Sequence, residues 1–140
     1  MQHQYSNEDL AFKASVEDCS IAVKTFDHRA HLRLAYIYLV DYDADEATIR
    51  VRATLTALLR HNNIEPSAKY HETLTKAWLL AVRHFMDEAS ACDSAGSFID
   101  RHPAMLDSGI MLTHYSKDRL FSDEAREKFL EPDLAPTPAR

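Results

Sequence analysis

The chain has 140 residues, 46% hydrophobic and 27% charged, with a formal net charge of −6. That length suits one hydrophobic core, so a single domain over residues 1–140 is expected. No apolar run approaches the ~20 residues of a membrane span, and an excess of acid over base is the wrong sign for neutralising nucleic-acid phosphates. A soluble protein follows, with a small molecule as partner and with neither nucleic acid nor membrane. A homo-oligomer stays open.

The opening MQHQYSNEDL has no basic stretch followed by an apolar one, so the expected address is the cytoplasm. Ser6 is a plausible N-cap for a short first helix carrying Leu10 and Ala14 at helical spacing. CSIAVKTF reads as a connection. Asp27 can cap a second helix from about His28 to Val40, and DYD ends it. Asp43 with Glu46 resembles a capping box for a third helix, EATIRVRATLTALLRH, which puts Ala47, Val51, Leu55 and Leu58 on one stripe. Its Arg50, Arg52 and Arg60 follow Asp41, Asp43, Asp45 and Glu46 closely, and read as a solvated face. Pro66 breaks the pattern, Ser67 offers a new cap, and a long helix is expected from about Lys69 to Glu88.

Further on, DSAGSFIDRHP predicts a short helix stopped before Pro103, and SDEAREKFL another capped by Ser122. Three prolines in the last ten residues argue against a helix there, so residues 1–5 and 132–140 are expected to be irregular or mobile tails. With Gly96 and Gly109 the only glycines, tight hairpin turns have little material. The fold class is therefore all-α, a compact bundle of about five to six helices. Short connections make the three longer ones an up-down-up core. Cys19 and Cys92 are too few and too far apart for a disulfide framework or thiolate zinc motif, and read as reduced thiols.

An up-down-up core places the N-termini of the second helix and the Lys69–Glu88 helix at one end. His28 and His31 would then meet His71 and Glu72 there. The stripes His28, His31, Ala35, Tyr38, Leu39 and His71, Leu74, Trp78, Ala81, Phe85 would line a mainly apolar pocket below them. Neutral imidazoles near helix N-termini suit a divalent transition metal such as Zn, Fe, Mn, Cu or Ni, so His28, His31 and His71 form a candidate ligand set with an open position. Glu72 is a candidate general base and His71 a candidate acid–base group. Tyr70, Thr73 and Trp78 would contact substrate, and His114 with Tyr115 could close over the pocket. Each residue also has a structural reading: an imidazole that caps or packs, a Glu72–Lys76 surface pair at i,i+4, Trp78 as core, and a packed turn at His114–Tyr115.

CSIAVKTFDHRAHLRLAYIYL, KYHETLTKAW and HYSKDRLFSDEAREKFLEPDL together resemble a group of small bacterial proteins that share an aromatic-x-His-x-x-His segment, a Tyr-His-Glu-Thr segment and a Pro-Asp-Leu ending. The likeness spans roughly residues 19–134. Relatives often carry Gly before Tyr-His-Glu-Thr and Trp before the first histidine, where this chain has Lys69 and Phe26. The resemblance implies that His28, His31, Tyr70, His71, Glu72 and Thr73 belong to one pattern, with no activity attached. Three functions follow as expectations: a small enzyme using the His/Glu pocket, with or without a metal; a non-catalytic binding protein for a small molecule or metal; and a structural or partner-binding helical protein.

Overall fold

The computed structural model describes residues 2–135, and among these the secondary structure is entirely helical. Helix α1 spans Asn7–Glu17, α2 His28–Asp41, α3 Ala44–His61, α4 Pro66–Lys69, α5 Glu72–Glu88, α6 Ala95–Arg101, α7 Lys117–Leu120 and α8 Asp123–Glu127; short 3-10 turns lie at Val23–Thr25, Pro103–Leu106 and Ser108–Thr113. Four caps are the ones expected, Ser6, Asp27, Asp43 and Ser122, and Ser94 adds one that was not. Ser6 forms a full capping box with Asp9, and Asp27, Asp43, Ser94 and Ser122 each accept a backbone N–H of the first turn they precede.

One boundary differs. The expected Lys69–Glu88 helix is two helices, because Tyr70 and His71 are extended and His71 caps α5 by accepting the Leu74 N–H at 3.1 Å. Helix α4 begins on Pro66 with Glu65, not Ser67, before it. Proline suits that first position, where its missing N–H is not needed. Asn63, at φ 60, makes the left-handed step that carries the chain from α3 towards α4.

Paired residues give the directions of the three long helices. Tyr42 lies against Arg50 and Tyr38 against Thr54, so α2 and α3 are antiparallel. Asp45 pairs with Lys76 and Arg52 with Glu72, so α3 and α5 are antiparallel as well. His28 meets Trp78 edge-on and Leu39 O accepts from Arg83, so α2 and α5 run parallel. The core is thus up-down-up, and α2 and α5 begin at the same end.

Helix α2 is the central element: Leu34 through Leu39 are all buried. Its two fully enclosed tyrosines keep their hydroxyls satisfied, Tyr36 by Gln4 O at 2.7 Å and Tyr38 by Glu17 Oε2 at 2.6 Å. Burial, with the Glu17 bond second, pushes the Tyr38 phenol up to about 12. Buried Asp9 ties three helices together, accepting from Ser6 N, Ala95 N and Arg33 Nε at 2.9–3.0 Å. Burial alone would raise its pKa, but these three donors hold it below the usual carboxylate range. On the far face of α5, Ala77 and Ala81 pack with Met111, Tyr115 and Leu120 as a second small core.

Neither end described here is loose. Gln4 N donates to Cys92 O, and His3 bonds Met86 O and Cys92 N. Asp133 accepts both the N–H and the hydroxyl of Ser116, while Leu134 N donates to His114 O. Both segments lack helix, as expected, yet they are fastened to the body. The expectation for residues 1 and 136–140 lies outside the described residues.

Candidate functional site

A cleft of about 610 Å³ opens between α2, α3 and α5. Its walls are apolar, with Leu55, Leu58, Leu59 and Ile64 from the α3 side, Leu32 and Ala35 from α2, and Leu74 and Trp78 from α5. Polar groups concentrate where α2 and α5 begin: Asp27, His28, His31, Lys69, Tyr70, His71 and Thr75, with Ser108 from a 3-10 turn. The α2 and α5 starts are neighbours only because those helices are parallel. His28, His31, Tyr70, His71 and Trp78 are therefore gathered on one cleft.

The imidazoles are committed through their N–H groups. A carbonyl only accepts, so a ring nitrogen bonded to one must carry the proton. His28 Nε2–H donates to Met105 O at 2.8 Å, His31 Nδ1–H to Asp27 O at 2.8 Å, and His71 Nε2–H to Leu120 O at 2.7 Å. His71 Nδ1 is in turn occupied by the Leu74 N–H. With both nitrogens used, His71 is a cap that joins α5 to α7, rather than an acid–base group or ligand. Burial lowers its pKa and keeps it neutral. His28 Nδ1 and His31 Nε2 remain as acceptors with no partner among the described residues.

The metal ligand set expected from the sequence is not assembled. Among the described residues, no group of three or more His, Cys, Asp or Glu side chains is placed to hold an ion. Two free imidazole nitrogens fall short of the three or four protein ligands a transition-metal site takes.

Glu72 faces elsewhere. It lines a separate, polar groove with Arg52, Thr56, Ser67, Arg126 and Lys128. Arg52 donates to both its oxygens at 2.9 and 2.8 Å, and Tyr70 donates to Oε1 at 2.6 Å. Burial would raise the Glu72 pKa, but the Arg52 and Tyr70 bonds outweigh it and hold the carboxyl below its ordinary value. A carboxylate held this way is a poor proton acceptor, so it does not fit the general-base role. The expected Lys76 partner is taken instead by Asp45 at 3.9 Å, and Arg52 is no free surface cation.

The remaining residues divide. Tyr70 borders both the cleft and the polar groove, its ring held by Glu72. Thr73 lies outside the cleft: its hydroxyl donates to Lys128 O and accepts from Leu130 N. His114 Nδ1 bonds Ala135 O, and Tyr115 donates to Leu130 O from the second core, so neither closes over the cleft. What the sequence hid was the α3 wall and Ser108. Helix periodicity marks Leu55 and Leu58 as core, and only tertiary packing leaves an opening beside them.

Comparison with family models, with curated proteins and with solved structures returned no match for this chain.

Proposed function

We propose that the protein binds a small, mainly apolar molecule in the cleft between α2, α3 and α5. One observation carries this reading: about 610 Å³ of apolar-walled space, with unpaired imidazole nitrogens at its polar end. That volume falls within the roughly 300–1,000 Å³ of small-molecule sites, which combine apolar walls with a few convergent polar groups. Protein interiors otherwise close-pack, and space left beside leucines forfeits stability unless a ligand fills it.

Trp78 is the chain's one tryptophan and lines the cleft, so it reports occupancy directly. Titration with anilinonaphthalene sulfonate should give saturable energy transfer from Trp78 at one probe per chain. A natively folded protein that shows neither saturable transfer to this probe nor saturable calorimetric binding of an alkylbenzene would refute the reading.

A second reading, an enzyme, is favoured by His31. Its Nδ1–H bond to Asp27 O leaves Nε2 unprotonated, and burial, its largest influence, lowers its pKa. The ring is accessible to water yet crowded by protein, as befits a position in a concave wall. Such an imidazole is a competent general base near neutral pH. If it acts as one, His31→Ala should abolish turnover of a chromogenic aryl ester while anilinonaphthalene sulfonate still binds. Turnover surviving in that variant would remove His31 from any catalytic role.

The resemblance to proteins with a Tyr-His-Glu-Thr segment fits either reading. In this chain Tyr70 walls the cleft, His71 starts α5, Glu72 fixes Tyr70, and Thr73 fastens the C-terminal segment.

A further inference from the structure

We infer that the ligand of this cleft is a neutral hydrogen-bond donor, an apolar alcohol or phenol, whose O–H is received by His28 Nδ1 or His31 Nε2. This rests on the cleft being a binding site, and deepens that reading by naming the chemistry it selects.

At the polar end of the cleft, three imidazoles each give their N–H to a backbone carbonyl, those of Met105, Asp27 and Leu120. Tyr70 gives its O–H to Glu72, and Thr75 gives its own to His71 O at 2.8 Å. The lining donors left unspent are the side chains of Lys69 and Ser108, both on exposed residues. What the histidines have left accepts: His28 Nδ1 and His31 Nε2, three residues apart on one helix face.

Neither nitrogen is sealed away. Among the described residues that are not themselves exposed, His102 Nε2 is the only fully enclosed side-chain nitrogen or oxygen without a partner, so His28 Nδ1 is reached by solvent and hence by ligand, and His31 is an exposed residue. An apolar body suits the leucine walls and Trp78, whose ring meets that of His28 edge-on at 4.7 Å between centroids.

Charge does not argue for an anion. The lining holds one ammonium, Lys69, and one carboxylate, Asp27, which offset each other, and Lys69 is exposed. A ligand that only accepts would leave both imidazole nitrogens desolvated and unpaired, an arrangement that selects strongly against it.

Four ligands of matched shape test this on the wild-type protein at pH 8, followed by Trp78 fluorescence or calorimetry: para-butylphenol, para-butylanisole, butylbenzene and para-butylbenzoate. The phenol should bind about tenfold or more tightly than the anisole and the hydrocarbon, the ratio expected of one well-made hydrogen bond. In a folded His28→Leu, His31→Leu variant that preference should fall below about twofold, with butylbenzene affinity kept or improved.

Anisole or benzoate binding as tightly as the phenol would overturn the donor inference and leave the cleft reading standing. Binding by none of the four would overturn both. The wild-type comparison needs no variant to fold, so it decides the matter by itself.

Discussion

Glu72 and His71 look like reactive groups in sequence and are structural ones in place. A carboxylate that takes two bonds from Arg52 and one from Tyr70 is stabilised in its charged form, which is the opposite of what a base requires. Glu72→Gln should therefore lower stability by about 1–3 kcal/mol, the range for charge-assisted bonds, and leave probe binding in the cleft within about twofold. Urea unfolding and the Trp78 titration check both halves; lost binding at unchanged stability would return Glu72 to the site. The same scale governs the response to acid. Burial lowers the pKa of His31, His71 and His102 from the ordinary 6.5, so below that pH the unfolded chain holds more protons than the folded one. Stability from these three is whole above 6.5 and is lost as pH falls towards their lower folded values. The urea midpoint should thus decline between pH 7 and pH 5, before carboxylates such as Glu72 titrate. A flat midpoint over that interval would contradict the lowered pKa values of these imidazoles.

Elements are joined here by single side chains at helix starts. Thr73, in the first turn of α5, holds the chain that follows α8 by donating to Lys128 O and accepting from Leu130 N. Asp133 then fastens the Pro-Asp-Leu stretch to the start of α7 through Ser116. Thr73→Val keeps the shape, removes both bonds and leaves the buried Leu130 N–H without its acceptor, at a cost of about 1–3 kcal/mol. Amide exchange should quicken over residues 128–134 while α2 and α3 keep their protection. Uniform quickening across the chain would mean that the C-terminal segment unfolds with the body rather than ahead of it.

At the scale of the molecule, the cleft is an opening in an otherwise packed three-helix core. Ala35 lies in its wall and is 3% exposed. Enlarging it towards open space should fill the cleft without crowding the core. Ala35→Met is expected to hold stability to within about 1.5 kcal/mol of wild type and to weaken binding of anilinonaphthalene sulfonate at least about tenfold. Thermal unfolding and the Trp78 titration measure the two effects separately. A severe loss of stability would mean that the wall does not open there.

The sequence by itself determined the all-helical class, the longer helices and which of them meet. Caps at Ser6, Asp27, Asp43, Ser94 and Ser122 are local: each side chain satisfies a backbone N–H two or three residues on, so the chain carries that information within one turn. Apolar periodicity and short connections add the up-down-up order, and with it the meeting of His28, His31 and Trp78. Only the tertiary structure decided what each polar group does there. Whether an imidazole is a ligand, a base or a cap depends on the atoms opposite its two nitrogens, and those come from Met105, Leu120 and other residues far along the chain. Arg52 and Glu72 are separated by 20 positions, and nothing in their spacing says that they pair. The same holds for the cleft. A stripe of leucines reads alike whether it closes on its neighbours or leaves room, because packing is a property of three surfaces at once and periodicity describes one.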